Sequence, residues 1–549
     1  MRLKYPNSKL ILIVILIFGA FLRFYKLDWG EGLFAHPDEY HIVGSVDQLS
    51  FPHQMNPHFF NYGTVIIYLI YFTKAALGFL SSFLHFQTLI FNSFLNSFLI
   101  GRFYSALFST LTIFIIYKIC CLLFERRWAL LAAALTSLTS GLIQQAHFAT
   151  PESLLTFFLF GSLFFLLKFV QFGKMGNVFV SSAFFGLAFG VKVVAALFAP
   201  VLATGIILKL IRKPKQLFVL FPLNFLYVLA IFYLVAPFVF LDFQSWRGST
   251  QYEGDLALGK ILVFYTRQFI NTPAFIFQME KILPFALGPV VEILGLLGIG
   301  FIIANFLKKP KLELFLIISS FMLLFISNGL LFAKWTRFLT PTLPFFVIFS
   351  VFFLREVKNF SKNFFKILLV VTILSTTFWA VAFFSIYLTS DVRISASNWL
   401  LQNTSSSSLF LVEGGNMVDL PLSSNFRKIS LDFYNLETDP TLRQKIIDGL
   451  LTADYFLVQS RRVFFNHQRI PQLYPKTAHF YNELFSGNLG FEQIKEFHSY
   501  PSLSFLGIRI EFPDEQAEET WSVFDHPVIR IFQKKLNLSR EDYAKIIEQ

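Results

Sequence analysis

The chain has 549 residues, of which 55% are hydrophobic and only 15% charged, where an ordinary soluble domain carries about a quarter charged. The net charge of +12 is uneven: residues 389–549 hold 16 Lys/Arg against 20 Asp/Glu, and residues 1–388 hold 30 against 14. The basic excess lies between long apolar runs, as the positive-inside rule expects of a membrane protein. Nucleic-acid binding is therefore excluded, and a polytopic membrane protein is expected.

In chain order, eleven spans are expected near 10–27, 102–124, 128–146, 151–171, 177–191, 193–208, 216–241, 285–306, 312–332, 337–354 and 367–388. The first run lacks a small-residue cleavage site and flows into "RFYKLDW", so it reads as an uncleaved span. With the N-terminus inside, the six inner connections carry 18 Lys/Arg against two acids, Glu125 and Glu356. That bias orients the chain with a cytoplasmic N-terminus, and the expected location is the inner (plasma) membrane. Cys120 and Cys121 are adjacent within a span, so no disulfide framework is expected.

The first outer loop, about 28–100, contains an apolar run at 62–83 that is long enough to span. Counting it as one span would push most later basic loops outside. It is expected either along the outer surface or in a hairpin with 86–100. Lys74 favours the surface, since a lysine at the bilayer centre costs ~3 kcal/mol. Lys192 separates two short spans and is expected at the outer surface or in a cavity.

Beyond residue 388 the composition changes. "SLFLVEG", "ADYFLVQS" and "FLGIRIEF" read as short buried strands, and "PTLRQKIIDGLL" as an amphipathic helix. The expected architecture is an all-α polytopic membrane domain over 1–388, followed by a small α/β extracytoplasmic domain over 389–549. No internal repeat is visible.

The first loop opens "FAHPDEYHIVG". Pro37 suits the first turn of a helix, and carboxylates near a helix N-terminus are held as anions. Adjacent acids on a helix point about 100° apart, so Asp38 and Glu39 face different surroundings. Each also reads as a plain helix-start acid in a solvated loop. Glu152, in "QQAHFATPESLLTFF" after His147, sits on the same membrane face and is equally a good helix start. Two carboxylates at one interface can divide base and orienting roles.

Lys334, Arg337, Lys192 and Arg102 lie outside, against the positive-inside trend. Singly they read as residues snorkelling to head groups; together they suit a lipid phosphate. His36 and His41 are the candidates for a divalent cation, although their spacing matches no tight ligand motif. No nucleotide-binding or serine-hydrolase motif is present. A transporter would set ionisable groups at mid-membrane in interrupted, repeated helices. Lys192 is the one feature of that kind.

The ordered set "HPDEYHIVG", "RFYSALFSTLTIFIIY", "QQAHFATPESLLTFF", "GLAFGVKVVAALFAP", "APFVFLD" and "KWTRFLTPTLP" resembles the C-superfamily integral-membrane glycosyltransferases. The likeness is to bacterial relatives of dolichyl-phosphate-mannose protein mannosyltransferases and of the lipid A aminoarabinose transferase. It extends over most of residues 10–390. The resemblance implies an inverting transfer of a hexosyl unit, mannosyl-like, from a polyprenyl-phosphate sugar to an acceptor hydroxyl on the outer face of the bilayer, with no required cofactor. It implies Asp38 as base and Glu152 as a second loop acid, and it matches Lys192 and Arg337 to basic positions near the donor phosphate. Beside these, Glu39 is a further catalytic candidate, Lys334 and Arg102 are candidates for the donor phosphate, and Tyr40 and His147 for substrate. The chain lacks the Trp-Trp-Asp-Tyr-Gly motif of oligosaccharyltransferases, and relatives often have Asp where Glu152 stands. The acceptor is left open between a protein, a lipid and a glycan.

Overall fold

The computed structural model describes residues 8–84, 96–415 and 419–548. They form two compact units. The first comprises residues up to Leu27, Asp38–Ala257 and Ala274–Phe384; the second comprises Asp28–Pro37, Leu258–Pro273 and Ser385 onward. Two short excursions from the span-rich part of the sequence therefore belong to the second unit.

The first unit is helical. Among the described residues nine helices are long and apolar enough to cross a membrane, or ten if the bent pair Arg126–Ser137 and Ser140–Ala146 is one span. Each of the eleven expected runs coincides with helix, but not all reach span length. Ser8–Phe24 and Met175–Val191 have 17 residues each. The helix Pro214–Val235 stops before Ala236-Pro237 rather than at 241. Val65–Phe83, expected at the surface or in a hairpin, is also long and apolar enough to span, as its sequence run already indicates. Lys74, the reason for that expectation, donates to Asp47 at 2.9 Å and to Ser97 Oγ at 3.2 Å. The expected hairpin partner begins in residues 85–95, which lie outside the described residues.

The bend of 56° at Leu138-Thr139 has a packing counterpart. Arg23, fully buried, donates to the carbonyls of Ser137 (3.0 Å) and Thr136 (3.1 Å) and to Ser109 Oγ (2.8 Å). Carbonyls released where a helix breaks need donors, and the guanidinium supplies them. The helices Pro289–Lys308 and Leu343–Phe360 approach closely at Gly298, where a Cβ would lie 2.1 Å from the Phe349 carbonyl oxygen. Small residues permit such contacts between membrane helices.

The second unit is α/β. Its main sheet has the order β2-β1-β3-β7-β4, from β1 (Leu409–Glu413), β2 (Arg427–Leu431), β3 (Tyr455–Val458), β4 (Phe491–Phe497) and β7 (Ile529–Lys534). β1 runs parallel to β2 and β3, whereas β7 is antiparallel to β3 and β4. β3 is buried along its whole length, as a central strand covered on both faces must be. The expected amphipathic helix is Pro440–Thr452, capped by Asp439 and burying Leu442, Ile446, Ile447 and Leu450. One expectation fails. "FLGIRIEF" is not a buried strand but part of an exposed ribbon of β5 (Ser502–Phe505) and β6 (Ile508–Glu511).

Candidate functional site

The helix Pro37–Asp47 starts with Pro37 and carries both acids in its first turn. Their side chains diverge. Glu39 is fully buried and receives the Arg102 guanidinium at two points, Nε to Oε1 at 2.8 Å and Nη2 to Oε2 at 2.7 Å. The backbone N–H of Ala149 adds a bond to Oε1 at 2.6 Å, and Arg102 Nη1 donates to the Leu27 carbonyl at 2.8 Å. This fork ties the loop helix to the helix Ser97–Leu123 and to the turn before Glu152. It uses both carboxylate oxygens and much of the guanidinium.

Asp38 turns elsewhere and is only partly buried. Its Oδ2 accepts from Arg337 Nη1, and the same nitrogen donates to Tyr62 OH at 3.0 Å. Arg337 sits on the single turn Thr336–Leu339, just before Pro341 interrupts the chain. Its guanidinium also lies 5.1 Å from the Trp335 ring centroid.

Lys192 ends the helix Met175–Val191 in extended conformation and precedes a 3-10 turn. That break lets its ammonium reach Glu152 Oε1 at 2.8 Å. The ammonium is also 5.1 Å from the Tyr62 ring and 5.3 Å from Phe338. Glu152 is buried, and its second oxygen has no hydrogen-bond partner among the described residues. Tyr62 is placed between the two cations by Gly63. The Gly63 N–H bonds the Val191 carbonyl at 2.9 Å, and a Cβ at 63 would lie 1.9 Å from the Gly190 oxygen.

Arg337 and Lys192 thus line one cavity of about 230 Å³, together with Tyr62, Phe338, Asn61, Thr250, Glu253 and Asn328. Each cation has a carboxylate beside it, Asp38 for Arg337 and Glu152 for Lys192. Two cations with aromatic walls can receive an anion that takes the place of a paired carboxylate. Glu253, in the helix Phe243–Ala257, accepts from Asn61 Nδ2 at 2.5 Å. Burial pushes its carboxyl up, with the Lys192 charge opposing.

The other expected residues lie apart from this cavity's lining. Lys334 is buried and donates to the Phe332 carbonyl at 2.9 Å; burial pushes its ammonium down. His147 is buried, with ring nitrogens 2.8 Å from the Ile143 carbonyl and 3.0 Å from that of Tyr25. Tyr40 is half exposed and meets Phe98 edge-on. His36 packs on Phe524 within the second unit, whereas His41 of the first unit stacks near Phe59. No group of three or more His, Cys, Asp or Glu side chains among the described residues is arranged to hold a metal ion.

Sequence reasoning missed Tyr62 and Glu253. The glycine after Tyr62 was a signal for the first, since only glycine tolerates that backbone approach. Glu253 sits in an ordinary polar loop sequence and gave none.

Residues 80–240 match the family model of dolichyl-phosphate-mannose-protein mannosyltransferases. No curated protein sequence matches the chain. Among solved structures, the Archaeoglobus fulgidus oligosaccharyltransferase tethered to an acceptor peptide superposes with a TM-score of 0.51 at 13% identity, covering 85% of this chain and 71% of that one. ArnT from Cupriavidus metallidurans, in the apo state, superposes with a TM-score of 0.50 at 12% identity, covering 82% of this chain and 93% of that one. The chain is a multi-pass membrane protein with the fold of the C-superfamily integral-membrane glycosyltransferases.

Proposed function

We propose that the protein transfers a sugar from a polyprenyl-phosphate donor to an acceptor hydroxyl on the outer face of the inner membrane, inverting the anomeric carbon. The observation that carries this reading is the convergence of Arg337 and Lys192 on one cavity, with Asp38 and Glu152 beside them. The matching family is named for dolichyl-phosphate-mannose, which favours a lipid-phosphate donor and a hexose such as mannose. The same family name specifies a protein as the acceptor of the sugar, which favours a protein hydroxyl among the three acceptor classes.

In this mechanism the donor phosphate takes the place of Asp38 on the Arg337 guanidinium and is met from the other side by Lys192. Asp38 is released as a carboxylate beside the acceptor. The acceptor oxygen attacks the anomeric carbon while its proton passes to Asp38. The bond from that carbon to the phosphate oxygen breaks, and the electron pair stays on the lipid phosphate. That leaving group needs no acid when cations neutralise it. Glu152 keeps Lys192 in place and leaves one oxygen for a substrate hydroxyl. Glu39 and Arg102 act as a positioning pair. Their two-point bridge holds the first turn of the helix so that Asp38 faces Arg337.

The test is incubation of the purified protein with labelled polyprenyl-phosphate sugars, mannose first. Transfer to an acceptor, or hydrolysis of the donor, supports the enzyme. Neither, together with substrate flux in liposomes, would support a transporter instead.

A further inference from the structure

The ribbon β5–β6 stands outside the transfer chemistry and carries an unusual surface. Leu503 pairs with Ile510 and Phe505 with Ile508 across the strands. Successive strand residues alternate between faces, so these four side chains share one face. Ser502, Ser504, Arg509 and Glu511 share the other. The apolar face is open: Phe505 is 75% exposed, Ile508 67% and Ile510 52%.

The tip continues that character. Leu506 and Gly507 form a two-residue loop with φ of 49° and 81°. Such loops favour Asn or Gly at positive φ. Leucine there accepts an unfavourable backbone and presents an apolar side chain that is 85% exposed. A lone two-stranded ribbon is marginal in water, and an open apolar face weakens it further.

The base of the ribbon shows what lies near. The N–H of Ser502 donates to Ser385 Oγ at 3.0 Å, and the two hydroxyls are 3.1 Å apart. Ser385 belongs to Lys362–Leu388, the last candidate span. A strand of four residues extends ~13 Å at ~3.4 Å per residue, so the whole ribbon lies within that distance of the end of a membrane span. On the polar face Arg509 pairs with Glu511 at 3.0 Å, and His498 reaches Glu511 at 3.1 Å.

We propose that the β5–β6 ribbon is a membrane-contacting element. Its Leu503/Phe505/Ile508/Ile510 face and its Leu506 tip lie in the interfacial layer of the leaflet at that end of the last span. The occupant of the apolar face is lipid. An amphipathic element with aromatic and aliphatic residues on one side and charge on the other suits that layer. It gives the α/β unit a contact with the bilayer of its own, besides the covalent connections to the helical unit.

The test uses the intact chain with Cys120→Ala and Cys121→Ala, carrying one new cysteine at a time. Leu506→Cys and Phe505→Cys probe the apolar side, and Ser504→Cys is the control on the polar face of the same ribbon. Each is labelled with an environment-sensitive fluorophore and reconstituted at low protein density into phosphatidylcholine–phosphatidylglycerol vesicles. Quenchers are nitroxide-labelled lipid, and iodide on both sides of the vesicle wall. The expected result is blue-shifted emission at 505 and 506, strong quenching by nitroxide lipid and little by iodide, with the reverse at 504. Equal iodide quenching at all three sites, without lipid quenching, overturns the proposal. So does protection at 505 and 506 that vanishes as protein is diluted in lipid, which would identify a second copy of the chain as the occupant.

Discussion

Glu39 and Arg102 meet in a two-point salt bridge with both side chains fully buried, 63 positions apart in sequence. Its neighbour Asp38 meets a different arginine, Arg337, from 299 positions away. The two acids of one helical turn therefore serve different purposes, one fixing the helix and one facing the cavity cation.

Glu39→Gln should act on stability. Breaking a buried pair from one side leaves an uncompensated charge on Arg102 and costs about 3–5 kcal/mol. Thermal unfolding in detergent should show a clear fall in midpoint for this variant, with little change for Asp38→Asn. Equal midpoints for Glu39→Gln and the parent would remove the positioning role.

Arg337 should be read by donor affinity. Arg337→Ala removes a charge-assisted contact of about 1.5–3 kcal/mol, or roughly 10- to 100-fold in Kd. Arg337→Lys keeps the charge but loses the fork, so its loss should be smaller. Titration with a labelled polyprenyl phosphate checks this; unchanged affinity in both variants would end the phosphate assignment.

Gly63→Ala tests the placement of Tyr62 between the cations. The new methyl would lie 1.9 Å from the Gly190 oxygen, so backbone must move. Donor binding should weaken, although no side chain that lines the cavity is altered. A variant with parental donor affinity would show that the cations do not depend on Tyr62.

The α/β unit should lose stability as pH rises. Burial pushes the Glu413 carboxyl from 4.5 up to about 8. His526, buried between Asp514 and Asp525, is raised from 6.5 to about 10, the two carboxylates outweighing the desolvation that opposes them. A raised folded-state value means stability fully present below the unfolded value and lost as pH passes the folded one. Glu413 therefore contributes a loss between 4.5 and about 8, and His526 a further loss between 6.5 and about 10. Glu413→Gln should flatten the first part in unfolding measurements across this range. A parent whose stability rises through it would contradict both assignments.

Much of this was legible in the sequence. The apolar runs gave the helices, because span length and hydropathy are local properties. The divergence of Asp38 and Glu39 follows from helix geometry alone. Which acid is buried was not legible, since it depends on where two arginines from distant helices arrive. Arg102 and Lys334 read as outer cations because sequence shows charge but not burial; Arg102 is spent on Glu39, and Lys334 on a carbonyl. Lys74, the basis for placing 62–83 at the surface, pairs with Asp47 in another segment, which a local pattern cannot show. "FLGIRIEF" has the alternation of a half-buried strand, and the local pattern cannot show that its apolar face is left exposed among the described residues.

The most direct test is the initial transfer rate of Asp38→Asn, measured with donor affinity in the same detergent. Asparagine keeps size and polarity but cannot take the acceptor's proton at neutral pH. The rate should fall by a factor of about 10²–10⁴, the range for losing a general base. Donor affinity should hold or tighten, because the neutral amide competes less with phosphate for Arg337. A variant that keeps a near-parental rate on a polyprenyl-phosphate sugar would contradict the account at its centre.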